Sequence, residues 1–149
     1  MIIEKVNIEN EKQIKKIINL IYKTFCDCNK NDSSNKLIKK YEELYGKMYN
    51  YNETLKYFKK NSKIFIIAKD GDKVVGIIRG MKNKITNLYV DSNFHNKGIG
   101  KRLLKAFEKE AKSLGSNKIH LKSSKYALSF YIKHGFKTRE DKYLEKTLD

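Results

Sequence analysis

The stretch Leu88-Tyr89-Val90-Asp91-Ser92-Asn93-Phe94-His95-Asn96-Lys97-Gly98-Ile99-Gly100-Lys101-Arg102-Leu103-Leu104 decides the fold. It reads as a strand, a turn carrying two glycines, and the opening of a helix. Such a junction binds anions. Glycine lets the backbone come close, and the unpaired amides of the first helical turn, with the helix dipole behind them, point at a phosphate. Two familiar phosphate loops are excluded, because a dinucleotide fingerprint needs Gly where Leu103 stands and a Walker loop needs Gly at His95 and Ser or Thr at Arg102.

Downstream of this junction, apolar residues recur at three- and four-residue steps through Ile99, Leu103, Phe107, Ala111 and Leu114, and Gly115 closes the helix. Ile119 to Leu121 is a short strand, which a crossover helix places parallel to the strand ending at Val90. Ser124 to His134 reads as a further helix closed by Gly135, and Phe136 to Leu148 supplies two final strands. Upstream, Ile64 to Ala68, Val74 to Gly80 and Ile85 to Val90 form an antiparallel meander, with Asp70-Gly71-Asp72 as its first turn. Before the meander come a strand over Ile3 to Ile8 and a helix that Asn10 and Gln13 open as a near capping box, with an Ile14, Ile17, Ile18, Ile21 and Phe25 stripe. A second helical stretch spans Ser34 to Asn61 with a break near Gly46 to Asn52, and Asn29 to Asn35 is a polar loop. No segment repeats, so one domain over residues 1–149 is expected.

The 149 residues hold 33 Lys+Arg against 17 Asp+Glu, a formal charge of +16. Only Arg79, Arg102 and Arg139 are Arg, and the chain is rich in Lys, Asn, Ile and Tyr, which share A/T-rich codons, so composition accounts for the charge without a dedicated nucleic-acid surface. The Lys residues are scattered rather than striped and no zinc-finger pattern accompanies them, so no nucleic-acid partner is expected. The longest apolar run, Ile64 to Ala68, is far short of a membrane helix and Met1 to Asn10 has no signal-peptide core, which predicts a cytoplasmic protein with no membrane partner. Cys26 and Cys28 read as reduced thiols beside a helix end, and no His or Cys spacing suits a metal.

A second motif lies downstream of the first: Ser123-Ser124-Lys125-Tyr126-Ala127-Leu128-Ser129-Phe130-Tyr131-Ile132-Lys133-His134-Gly135-Phe136. Together the two motifs resemble the GNAT superfamily of N-acetyltransferases, which shows Val-Asp-Pro, Gln or Arg-x-x-Gly-x-Gly or Ala, a helix, a short strand, and Asn-x-x-Ala-x-x-x-Tyr-x-x-x-Gly-Phe. The likeness covers about Ile64 to Phe136. His95 stands where the family prefers Gln or Arg, Ser92 where Pro is common, and Ser124 where Asn is common.

The resemblance implies an α/β (α+β) fold: a central mixed, mostly antiparallel sheet of six to seven strands flanked by about four helices, with a splayed parallel strand pair. Acetyl-CoA would lie in that V as cosubstrate, with no metal, its pantetheine pairing with the backbone edge at Leu88, Tyr89 and Val90 as an added strand does. Its pyrophosphate would sit on the loop His95, Asn96, Lys97, Gly98, Ile99, Gly100, Lys101 and Arg102, with the amides of Asn96 to Lys101 as ligands and Lys97, Lys101 and Arg102 adding positive charge; Ser124 is a further cofactor-binding position. The reaction implied is direct attack of a neutral primary amine, of a small molecule or a peptide, on the thioester. Tyr131 occupies the position of the proton donor to the departing thiolate.

The magnitudes bound that role, since a phenol of pKa about 10 protonating a thiolate of pKa about 8.5 is uphill by about 2 kcal/mol unless the site lowers the former. The general base stays open among His120, Glu42, Glu43 and an ordered water. Tyr41 and Tyr45 fall at helical spacing and are candidate walls of an acceptor pocket or core aromatics. Arg79, ending a strand, is either a substrate-carboxylate ligand or a surface cation. The alternative functions are a GNAT-fold CoA-binding sensor without turnover and a basic nucleic-acid-binding domain. Monomer and homodimer both remain open.

Overall fold

A computed structural model describes residues 1–140 and 142–149. Its elements run β1 (Ile2–Lys5), α1 (Glu11–Thr24), a π-turn and a 3₁₀ turn over Phe25–Asp32, α2 (Asn35–Tyr45), α3 (Tyr51–Asn61), β2 (Ile64–Asp70), β3 (Lys73–Met81), β4 (Lys84–Val90), a 3₁₀ turn (Ser92–Phe94), α4 (Ile99–Ser113), β5 (Lys118–Lys122), α5 (Leu128–Lys133), β6 (Lys137–Glu140) and β7 (Tyr143–Thr147). Among the described residues the strands form one sheet in the order β1-β2-β3-β4-β5-β7-β6. Only β4 and β5 run parallel.

The first three helices start where a short polar side chain satisfies their free amides. Asn10 accepts from the Gln13 amide at 3.0 Å, Ser34 from Leu37 at 3.1 Å and Asn50 from Glu53 at 3.0 Å; caps of this kind are each worth about 1 kcal/mol. The predicted break between α2 and α3 is present. Two boundaries differ from the sequence reading. β1 ends at Lys5 because Asn7 turns the chain, its side chain accepting from Glu9 and its carbonyl from Asn10. α5 begins at Leu128, since Ser124 Oγ takes the Ala127 amide at 3.2 Å and holds residues 124–127 in a turn.

The helices sandwich the sheet. Ile66 and Ile78 face a core shared with Leu103, Phe107 and Ala111 of α4, while Ile67 and Ile77 face a second core shared with Ile14, Ile18 and Ile21 of α1 and Phe58 of α3. Burial on both faces is why β2 and β3 read as continuous apolar runs rather than alternating ones.

The irregularity that shapes the site lies in β4. Gly80 of β3 pairs with Ile85 and Arg79 pairs with Asn87, so Thr86 is one residue too many for its partner strand. Such a bulge bends and twists the strand that carries it. β4 and β5 meet at the Lys84–His120 pair and the His120 amide bonds the Asn83 carbonyl at 2.9 Å; past that point no further pairing joins them.

Candidate active site

Beyond the bulge, the Asp91 amide donates to the Val75 carbonyl of β3 at 2.8 Å. Backbone groups alternate direction along a strand, so those of Tyr89 also face β3, and those of Leu88 and Val90 face the gap toward β5. Leu88 and Val90 thus turn their backbone groups away from β3, along the edge that the resemblance assigns to pantetheine. Tyr89 does not join them: its backbone pairs with Ile77 and its side chain packs in the α1–α3 layer.

The edge leads directly to the start of α4. Asn96 and Gly98 both take the left-handed conformation, with φ of 62° and 79°, and turn the chain into the helix. Gly98 caps α4 with no side-chain bond, unlike the residues that open α1, α2 and α3. The first intrahelical bond is Arg102 N–H to Gly98 O at 3.1 Å, which leaves the amides of Ile99, Gly100 and Lys101 without helical partners. Gly100 also admits the Phe130 ring, which would lie 3.2 Å from any Cβ there. Lys97, Lys101 and Arg102 are exposed around this turn, and none forms an ion pair among the described residues. Free amides, positive dipole and cations converge where a phosphate would bind.

His95 and Ser124 are committed within the protein. His95 Nε2 donates to the Val90 carbonyl at 2.8 Å, and its Nδ1 lies 3.0 Å from the Tyr126 hydroxyl, linking the loop after β4 to the loop after β5. A carbonyl has a second lone pair, so Val90 can accept from an added strand as well. Tyr126 escaped the sequence reading because an exposed loop tyrosine carries no pattern of its own.

Tyr131 is buried, packed edge-on against Phe130 and Phe136 at 5.4 Å each. Burial alone drives its phenol pKa well above the ordinary value. The site does not lower that pKa, so transfer of this proton to a thiolate is more costly than the 2 kcal/mol of an unperturbed phenol.

The other face of β4 corrects two sequence expectations, those for Arg79 and Tyr45. Arg79 is neither a surface cation nor open to a carboxylate: it is fully buried. Its Nε and Nη2 donate to Asn87 Oδ1 at 3.1 and 2.6 Å, its Nη1 to Ser62 Oγ at 3.1 Å and to the Asn61 carbonyl, and its guanidinium lies over the rings of Tyr57 and Phe58. Tyr45 is buried between Tyr41 and Phe58, so it is core rather than pocket wall. Tyr41 is half-buried, stacked on Phe25 at 4.1 Å, and its hydroxyl joins Asn87 Nδ2 at 3.0 Å to the Tyr89 hydroxyl at 2.9 Å. Asn87 and Tyr89 are the residues the sequence concealed on this face, since nothing local marks a strand Asn as the partner of an Arg eight positions earlier.

Of the candidate bases, Glu42 and Glu43 are exposed on α2. His120 stands at the closed end of the V with Nδ1 2.8 Å from the Tyr143 hydroxyl. Partial burial, then the Lys84 charge, lower its pKa against the opposing pull of Glu145. Two cavities, of about 310 and 450 Å³, lie away from Tyr131, one beside Val6 and Phe58 and the other beside Leu20 and Asp91.

The arrangement has counterparts in known proteins. The structure superimposes on the PaiA N-acetyltransferase of Thermoplasma acidophilum, solved with coenzyme A, with a TM-score of 0.74 and 24% identity over 98% of both chains. It matches the aminoglycoside 6'-N-acetyltransferase of Enterococcus faecium with a TM-score of 0.74 and 19% identity, over 100% of this chain and 98% of that one. In sequence it is 33% identical to the uncharacterized N-acetyltransferase YjcF of Bacillus subtilis over 86 residues, 55% of this chain and 61% of that protein's length. The model of the acetyltransferase (GNAT) domain matches residues 27–149, and with most of its length inside that match this chain belongs to the GNAT acetyltransferase family.

Proposed function

We propose that this chain transfers the acetyl group of acetyl-CoA directly to a primary amine of a small molecule or peptide. The observation that carries the reading is the row of backbone groups turned away from β3 at Leu88 and Val90, where His95 takes one lone pair of the Val90 carbonyl, leading to the helix-start amides of Ile99, Gly100 and Lys101. An extended pantetheine followed by a diphosphate needs that succession of amide edge and anion nest. The CoA bound to the Thermoplasma protein of the same fold supports it.

Acetyl-CoA supplies the activated acyl group and a thiolate leaving group. The chain's own residues orient and stabilise. Leu88 and Val90 would fix the acyl-bearing arm along β4, and their amides are the donors nearest a developing oxyanion. Tyr131 would keep its proton and hydrogen-bond the sulfur as charge accumulates there. The amine must arrive neutral. A lysine-like amine of pKa about 10.4 is neutral in about one molecule in a few thousand at pH 7, whereas an α-amine near 8 is about one-tenth neutral and needs far less help. His120, at the closed end of the V and with a lowered pKa, is the candidate base that this reading assigns as proton acceptor.

Thermal unfolding with and without acetyl-CoA tests the reading, followed by thiol release with an amine panel. Ligand at about 100 times Kd should add about 2.7 kcal/mol of stability. No shift on adding acetyl-CoA would refute it; a shift without thiol release from any amine would favour the non-catalytic CoA sensor.

A further inference from the structure

Arg79 is a buried cation whose hydrogen bonds are satisfied and whose charge is not. Every partner it has is neutral: Asn87, Ser62, the Asn61 carbonyl and aromatic rings. Burying an ion costs several kcal/mol unless an opposite charge answers it. Among the described residues the one buried carboxylate is Asp91, which is already bound to Lys23 at 2.9 Å and faces Lys73 at 4.0 Å. Glu42 of α2 does not serve either, since it is exposed and pairs loosely with Lys30 at 4.0 Å. Lys40, over the Tyr57 ring at 5.4 Å, adds a second cation to this face.

The charge has a route outward. Asn87 takes the Arg79 fork on its oxygen and donates from its nitrogen to Tyr41, whose hydroxyl meets that of Tyr89. Two hydroxyls sharing one hydrogen bond use one proton between them, so whichever tyrosine donates, one phenolic proton remains for an outside acceptor. Burial holds the Tyr89 phenol protonated, its pKa well above the ordinary value. Tyr41 is half-buried, while the Tyr89 phenol lies deeper, beside the Asn29 side chain, on β4 between Leu88 and Val90. A spare donor backed by a buried positive charge therefore stands beside the backbone edge at which the acetyl group would be held.

We propose that Arg79, Asn87, Tyr41 and Tyr89 select an acceptor amine that carries a carboxylate, as an amino acid does, over polycationic amines such as polyamines and aminoglycosides. The carboxylate binds the spare phenolic proton and supplies the negative charge Arg79 lacks. This rests on the acetyltransferase reading above and names its substrate class. A buried cation answered by a carboxylate at an effective dielectric of about 20 is expected to give about a tenfold preference.

The test is calorimetric titration of the full chain saturated with CoA, using methionine, phenylalanine and aspartate, each beside its α-amide, and spermidine. The acids should bind at least about tenfold more tightly than their amides, with spermidine weakest. In the shape-preserving double variant Tyr41→Phe, Tyr89→Phe that preference should shrink below about threefold while CoA affinity is retained. Arg79→Gln should shrink it too where that variant folds. Equal binding of acids and amides, no binding by any acid, tighter binding of spermidine, or an undiminished preference in the double variant would each overturn the proposal. Failure of wild-type protein to bind CoA would instead remove the acetyltransferase reading and this inference with it.

Discussion

β4 shows Leu88 and Val90 to α4 and Asn87 and Tyr89 to α1–α3, and its two sides are built from different materials. On the first, the groups that matter are backbone amides and carbonyls turned away from β3 beyond a bulge at Thr86 and left without helical partners behind a glycine at the head of a helix. On the second, they are side chains brought together from positions 41, 79, 87 and 89. A backbone site tolerates side-chain change and demands particular conformations; a side-chain network demands particular partners and tolerates little.

The largest effect should come from breaking the network. Asn87→Leu removes the oxygen that receives two Arg79 donors and leaves a buried guanidinium short of partners. Hydrogen bonds to charged groups are worth about 1.5–3 kcal/mol each, so a loss of about 3 kcal/mol is expected. For a chain of this size that lowers the melting temperature by on the order of 10 °C, with CoA affinity per folded molecule little changed. Scanning calorimetry checks the first part and titration with CoA the second. A drop below about 2 °C would mean that Arg79 does not depend on Asn87, and the contrast between the two sides of β4 would fail.

On the cofactor side the corresponding change is Tyr131→Phe. It removes one hydroxyl from a buried ring that the apolar packing of Phe130 and Phe136 holds in place. Stability and acetyl-CoA affinity should stay nearly constant. Turnover should fall at least about tenfold, about 1.4 kcal/mol of transition-state stabilisation. Steady-state kinetics with thiol detection decides it, and unchanged turnover would return Tyr131 to the core.

This division explains what the sequence made legible. Gly98 and Gly100 are visible because left-handed backbone and close ring approach each favour glycine, and the spacing of Ile99, Leu103 and Phe107 fixes the helix they open. The parallel placement of β5 followed from the handedness of crossovers, and the meander from its apolar runs. The role of Arg79 was not legible. Its depth is set by Tyr57 and Phe58 of α3, distant in the chain, and a lone Arg at a strand end looks the same whether solvent or a phenol lies above it. Thr86 was equally silent, because a bulge is defined by the partner strand and not by the residue that occupies it.

The smallest expected effect concerns pH and separates the closed end of the V from both sides of β4. His120 and His134 each have a folded-state pKa below the ordinary 6.5, through burial first and neighbouring lysines second. In the unfolded chain they bind protons earlier as pH falls, so the unfolded state carries more protons in that window. Their contribution to stability is complete above about pH 6.5 and is lost as pH falls from there through the lower folded values. Glu145, held below its usual pKa mainly by its hydrogen bond to Lys118, acts in the same direction but in a more acidic window, below about pH 4.5. The melting temperature should therefore decline by a few degrees between about pH 7 and about pH 5, before any carboxylate contributes much. His120→Gln keeps a partner for Tyr143 and removes the titration, so its melting temperature should change less over that interval. An identical slope in wild type and variant would show that His120 is no harder to protonate folded than unfolded, and that its burial beside Lys84 does not govern its titration.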